Sequence, residues 1–280
     1  MQIMTQSLAI LVPTFNEEIH IERCLSQLIG LNNVFIHDTD STDRTIEIAK
    51  KYNVSFLQSN NYSSFAEKCN HGLSILYEKF DWVFILHADE LITESIKALI
   101  NDINLRIISD EISVIGIHRR LSFMGHTLNH GGTKSIQLRI FRSGSAFYKI
   151  SNLDEVIDCR KDMIYISKSV IVDKPLISYR HWIEKHSMYS INQARQSLAS
   201  GSILSYDSFS SQRLYYLSPL FIRCFILFFY KYIICLGFLD GKFGLAFNVS
   251  HNLIYRLIVD VRILTKEIKS DQSPRHIILE

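Results

Sequence analysis

The stretch Asp81-Trp-Val-Phe-Ile-Leu-His-Ala-Asp-Glu90 narrows the possible folds more than any other part of the chain. Trp82 to Leu86 is short and apolar without interruption. That pattern belongs to a strand covered on both faces, as in a parallel sheet, rather than to one with a wet face. Asp89 and Glu90 follow at once. In open α/β sheets the ligand crevice lies outside the carboxyl ends of the strands. Two acids there are placed to hold a divalent cation through hard oxygen ligands, although a solvated turn would carry the same residues.

The N-terminal half repeats the device. Leu8 to Val12 is an apolar run ended by Pro13, and Thr14-Phe-Asn-Glu-Glu18 follows. Ile21, Leu25 and Leu28 then recur at helical spacing, with Thr14 or Asn16 available as a cap. Val34-Phe-Ile-His37 reads as the second strand. It runs into Asp38-Thr-Asp-Ser-Thr-Asp-Arg-Thr45, dense in capping residues, and a helix through Lys51. Ser55 to Leu57 is a weaker strand, Ser64 to Lys79 a helix, and the Trp82 run is the fourth strand. Strands alternating with helices specify a mostly parallel α/β sheet with right-handed crossovers. Glu17, then Asp38 with Asp40 and Asp43, then Asp89 with Glu90 therefore gather along one sheet edge. Such a row suits a cation and a polar, hydroxyl-rich ligand. No G-x-G-x-x-G or G-x-x-x-x-G-K-[ST] follows any strand, so the usual phosphate cradles are missing.

Beyond Leu105 the pattern loosens. Val114 to His118 and Ile136 to Phe141 look like strands, with a turn at His130-Gly-Gly132 between them. Asn152-Leu-Asp-Glu155 is a further acidic element, and His181, Trp182, His186 and Tyr189 open a helical stretch to about Ala199. Leu217 to Leu239 is apolar and aromatic, broken chiefly by Arg223 and Lys231, which lie about 80° apart on a helix and so share a face. Two charges and Gly237 argue against a spanning helix, which needs about 20 apolar residues. The segment reads as an interfacial helix lying in the membrane surface, or else as a core or oligomer helix. The boundaries expected are a domain over 1–180, with a donor half 1–105 and an acceptor half 106–180, and a helical, membrane-associated region over 181–280.

Composition bounds the remainder. A hydrophobic content of 47% is ample for a core, and a net charge of +2 makes no case for a nucleic-acid partner. Five scattered cysteines with no C-x-x-C pair suggest neither a zinc site nor a disulfide framework, and fit a reducing cytoplasm. The first residues lack the basic start and long apolar region of a signal peptide.

Leu-Val-Pro-Thr-Phe-Asn-Glu-Glu at 11–18, Asp38 with Ser41-Thr-Asp-Arg-Thr45, and His-Ala-Asp-Glu at 87–90 resemble family 2 glycosyltransferases of the GT-A (Rossmann-like) fold. His130-Gly-Gly132, Gln-Leu-Arg-Ile-Phe-Arg at 137–142 and Gly-Phe-Leu-Asp-Gly at 237–241 resemble the subgroup around the lipopolysaccharide core β-1,4-glucosyltransferases. The resemblance implies inverting transfer from a nucleotide sugar, usually UDP-linked, assisted by Mg²⁺ or Mn²⁺. It implies that Pro13, Thr14 and Glu17 line a nucleoside pocket, that Asp38 binds base or ribose with Asp43 supporting its loop, and that Lys68 lies on the donor side. Asp89 would be the metal ligand. His87 stands where the family's first D-x-D aspartate is usual. Imidazole there suits Mn²⁺ or Zn²⁺ better than Mg²⁺, or else His87 binds no metal; His181 is a further candidate ligand. Asp40 stands where glycine is common, and Asp154 where the subgroup tends to have histidine. Glu155 is the candidate general base, with Asp154 as the alternative.

The expectation is thus a metal-assisted glycosyltransferase, cytoplasmic and peripheral at the inner face of the cell membrane. It would move a sugar onto a saccharide or lipid-linked saccharide of a bacterial surface glycan. The alternatives are a sugar nucleotidyltransferase, or a non-catalytic nucleotide-binding member of the family.

Overall fold

The computed structural model describes residues 7–59, 62, 64–149, 156–199 and 218–266. They form two compact units. The first takes the chain up to Ser122 together with Ser135–Leu176, and the second takes Phe123–Lys134 with the chain from Ile177 onward.

The first unit begins with the expected alternation: β1 (Leu8–Thr14), α1 (Ile21–Ser26), β2 (Val34–Asp38), α2 (Thr45–Ala49), β3 (Ser55–Phe56), α3 (Phe65–Tyr77) and β4 (Trp82–Ile85). After it come β5 (Glu90–Ile92), α4 (Glu94–Asn104), β6 (Val114–Phe123), β8 (Ser135–Arg142), β9 (Ala146–Tyr148), β10 (Ile157–Cys159) and β11 (Ile164–Asp173), while the short β7 (His126–Thr127) falls in the second unit. The main sheet runs β3-β2-β1-β4-β8-β6-β11-β5, and β9 pairs with β10 separately. The four strands from β3 to β4 are mutually parallel; β8 is antiparallel to both its neighbours, β11 parallel to β6, and β5 antiparallel to β11. This is a mixed GT-A-like α/β sheet, parallel where the acidic loops leave it.

β1 shows why the apolar runs do not alternate. Leu8, Ile10 and Val12 join the core shared with α1 and α4, while Ala9 and Leu11 join the core under α3. Successive side chains point to opposite faces, and both faces are covered, so every position is apolar. Each such Leu or Ile contributes about 1.5–3 kcal/mol on burial. α3 starts where Ser64 accepts the Glu67 N–H in a cap. It lies close on the sheet because Gly72 has no side chain: a Cβ there would sit 2.8 Å from Leu11 Cδ2 and 2.9 Å from His37 Nδ1.

α1 departs from expectation. It follows His20 and is capped by neither Thr14 nor Asn16, because both side chains are spent on the neighbouring loop, as described below.

In the second unit α5 (Tyr179–Ala199) is the expected polar helix. The apolar segment is not one flat helix. α6 (Ile222–Phe229) passes into a π-helical turn, Tyr230–Ile234, and the chain breaks at Leu236, whose φ is 60°. A short 3₁₀ turn, Gly237–Asp240, leads to α7 (Gly241–Phe247), a second π-helical stretch (Asn248–Ile254) and α8 (Tyr255–Thr265). The shared cationic face is also corrected. Arg223 is buried, and its Nε donates to Asp260 Oδ1 at 2.8 Å. Lys231 Nζ instead reaches the Gly132 carbonyl at 3.4 Å. The excursion Phe123–Lys134 is held within this unit. Asp240 accepts the backbone N–H groups of Asn129 and His130 and pairs with His130 Nδ1 at 3.0 Å, while Phe123 packs edge-on to Trp182 and Phe247.

Candidate active site

The carboxyl ends of β2, β1 and β4 are adjacent and point the same way. Their loops are laced together by hydrogen bonds. Thr14 Oγ1 donates to Asp38 Oδ1 at 2.8 Å, and the hydroxyl and N–H of Ser41 donate to the same carboxylate at 2.6 and 2.8 Å. The Asn16 N–H donates to Ser41 Oγ, and Asn16 Oδ1 accepts the Thr42 N–H. Asp43 accepts the hydroxyl and N–H of Thr45 and the N–H of Glu18. It thereby fastens the first loop to the start of α2. Asn16 and Asp40 both take left-handed backbone conformations, with φ of 51° and 53°. Aspartate tolerates that region better than most residues, which explains how Asp40 serves at a position suited to glycine.

Lys68 lies beneath this lacing. Its Nζ donates to the Thr14 carbonyl at 2.6 Å, and it is almost wholly buried. Burial brings its ammonium down to about 8, against the pull of Cys69, Asp38 and Glu17. Glu17 is held from its other side. The Leu176 N–H donates to His20 Nε2 at 2.9 Å, so the ring proton sits on Nδ1 and is donated to Glu17 Oε2 at 2.6 Å. Pro13, Thr14, Glu17, Asp38, Asp43 and Lys68 therefore all belong to one edge-on cluster. Thr14 touches both Asp38 and Lys68, and Pro13 is buried in β1.

The exit of β4 is arranged differently from the first expectation. Glu90 is not presented to a cation. It is buried; Oε1 accepts Arg139 Nη2 at 2.9 Å and Oε2 accepts the His87 N–H at 2.9 Å. Arg139 Nη1 also donates to His87 Nε2 at 2.7 Å. His87 Nε2 thus carries a guanidinium N–H. His181 lies in the second unit, on α5, exposed. Asp89 remains partly exposed, and among the described residues no hydrogen bond or ion pair holds its carboxylate. Its backbone carbonyl is fixed by the Lys174 N–H at 3.0 Å and Arg23 Nη2 at 3.2 Å. Asp154 and Glu155 lie outside the described residues.

Two residues absent from the sequence-based set complete this corner. Arg139 comes from β8, and its only warning in the sequence is a charge inside a strand that is otherwise apolar around it, Leu138-Arg-Ile-Phe141. Asp173 ends β11, opposite Glu90 in the register, and accepts Arg119 Nη1 at 3.3 Å. Burial, then the nearby Asp89 charge, pushes the Asp173 carboxyl up to about 7. Its signal was the one that marked β2 and β4: an apolar run, here Val170-Ile-Val172, followed closely by an acid.

No group of three or more His, Cys, Asp or Glu side chains forms a ready-made metal cage among the described residues. Asp89, at the exit of β4, lies near enough to the end of β11 for its charge to act on the Asp173 carboxyl. A cavity of about 560 Å³ lies in the second unit, against Phe243 and Val249; its lining is apolar, and it contains none of these carboxylates.

Residues 9–155 match the family described as Glycosyl transferase family 2. Among solved structures, glucosyl-3-phosphoglycerate synthase from Mycobacterium tuberculosis, in complex with Mn²⁺, UDP and glucosyl-3-phosphoglycerate, is 18% identical over 41% of this chain and 44% of that one, with a TM-score of 0.32. A cytidylyltransferase from Leptospira borgpetersenii serovar Hardjo-bovis is 19% identical over 49% and 60%, with a TM-score of 0.35. A 4-diphosphocytidyl-2C-methyl-D-erythritol synthase is 14% identical over 50% and 76%, at 0.36. The chain thus spans less than half the length of the glucosyl-3-phosphoglycerate synthase it matches.

Proposed function

The chain belongs to glycosyl transferase family 2; on that premise we propose that it is a glycosyltransferase that inverts the anomeric centre of a nucleotide-linked hexose, a UDP-hexose in the first instance, on transfer to a hydroxyl of a saccharide or lipid-linked saccharide of a bacterial surface glycan. The observation that carries the proposal is the edge shared by β2, β1 and β4. It sets a braced acceptor, Asp38, and a buried lysine, Lys68, on either side of Thr14, and across β1 the carboxylate Asp89, which no hydrogen bond or ion pair holds among the described residues.

The residues divide the work. A carboxylate accepts about four hydrogen bonds; three donors from Thr14 and Ser41 already hold Asp38, and a remaining lone pair can take a base N–H or ribose hydroxyl. Asp89 and Asp173 would hold a divalent cation, Mn²⁺ or Mg²⁺. When bound, that cation neutralises charge on the diphosphate leaving group. Glu155, or Asp154 in its place, would remove the acceptor hydroxyl's proton as that oxygen attacks the anomeric carbon opposite the departing diphosphate.

The test is nucleoside diphosphate release from a panel of nucleotide sugars, with Mn²⁺ or Mg²⁺ present, beside pyrophosphate exchange. Diphosphate release that Asp89→Asn abolishes without moving the thermal melt is the expected result. Glu155→Gln should keep donor binding and cut turnover by about 10²–10⁴; a crippled Asp154→Asn with a mild Glu155→Gln would reverse the two roles. Pyrophosphate exchange with no diphosphate release would mark a nucleotidyltransferase instead.

A further inference from the structure

We propose that the bent helical pair Ile222–Ile234 and Gly237–Thr265 docks into one leaflet of an anionic bilayer. α6 is built inside out for a helix in water. Helices at a protein–water boundary turn their charges outward and their apolar stripe inward. Here Arg223 and Cys224 face inward, and Ile222, Phe225, Ile226, Phe229 and Ile233 are exposed along one face at spacings of three and four. Phe229 is 58% exposed, and Ile234 beyond it 69%. Beyond the break, Phe238, Leu239, Leu245, Ile254 and Leu264 are exposed as well. A contiguous apolar surface of this kind marks an interaction site.

Charge selects the partner. Residues 218–266 contain two acids, Asp240 and Asp260. Asp240 is tied to His130 and Asp260 to Arg223. The cations Lys242 and Lys266 are exposed. The segment therefore shows the outside apolar groups and positive charge, with both of its carboxylates paired inside. That is the complement of a bilayer with anionic headgroups.

The backbone is prepared for the same setting. Irregular backbone at membrane depth must be satisfied from within the protein. At the break, the Cys235 carbonyl accepts the Gly131 N–H at 2.8 Å. Asn248 Nδ2 donates to the Gly244 carbonyl at 2.8 Å, and Asn252 Nδ2 to Asn248 Oδ1 at 2.8 Å. Among the described residues no single helix is long and apolar enough to cross a membrane; the two arms meet that length and composition only together, bent by 72°. The pair dips into the surface and returns.

Flotation of the full chain with vesicles of phosphatidylcholine, with and without phosphatidylglycerol, tests this independently of any transferase assay. Binding should require phosphatidylglycerol and weaken at high salt. The variant Phe225→Gln, Phe229→Gln, Ile233→Gln should lose at least about tenfold in binding while its thermal melt holds, because these side chains already stand half exposed. Should that variant melt early, Lys242→Glu with Lys266→Glu replaces it, with roughly fivefold or more lost for each cation. Wild-type protein that stays unbound, binding indifferent to both variants, or a stable dimer that the glutamine variant dissolves in the absence of vesicle binding would each overturn the proposal.

Discussion

Arg139 and Glu90 form an ion pair whose side chains are each only 2% exposed. Removing one partner leaves the other buried and uncompensated, at about 3–5 kcal/mol, whereas replacing both by apolar groups is often neutral. Arg139→Met should therefore lose about 3–5 kcal/mol in urea unfolding, and Arg139→Met with Glu90→Leu should recover most of it. An additive loss in the double variant would show that the guanidinium acts mainly through His87. Asp173 gives a second residue-scale prediction. Unfolded, its carboxyl titrates near about 4; folded, it keeps its proton up to about 7. The native state binds more protons between these values, so this contribution is complete below about 4 and lost as pH rises through about 7. In chelator, Asp173→Asn should flatten the stability profile over that window and be the more stable protein at pH above it; an unchanged slope would show that the Asp173 proton does not count. These two residues show where reading a sequence stops. Asp38, Asp43 and Asp89 could be picked out because each follows a recognisable strand, and Thr14 and Lys68 by resemblance. Whether a carboxylate is free or already paired depends on a partner far away in sequence, as with Glu90 and Arg139, and local pattern holds no trace of that.

Elements were legible in proportion to how local their causes are. β1, β2, α3 and β4 follow from apolar runs and a serine cap, and stand within a few residues of where the sequence puts them. β11 and β5 were missed: their antiparallel pairing at the far edge is a long-range choice. The tail was misread for a related reason. Periodicity points to a continuous helix over 217–239, but the chain breaks at Leu236 and the turn after it is closely packed. Gly244 packs directly on the Gly237 carbonyl oxygen, and an added Cβ would overlap it. Gly244→Ala should cost about 1–3 kcal/mol or more as overpacking against rigid backbone, read as a lower melting temperature. A variant that melts like wild type would show that the bend can open. Gly72→Ala meets flexible side-chain ends, Leu11 Cδ2 among them, and should be milder.

At the scale of the whole molecule, the two units are not consecutive stretches of chain. The second is assembled from Phe123–Lys134 and the residues after Ile177, with two strands of the first unit's sheet, β8 and β11, lying between these pieces in sequence. Phe123 and His130 pair with Trp182, Phe247 and Asp240 of the later piece. Recombination is thereby constrained. A single crossover near residue 176, where the larger piece of the second unit begins, would strand the short piece with a foreign mate. Such a chimera should express as aggregate or melt well below both parents, whereas one that also carries 123–134 from the same donor should be soluble. Lineages that trade this module intact must exchange both pieces in one event or accumulate compensating changes at Phe123 and His130, so the inserted hairpin acts as a lock on modular shuffling.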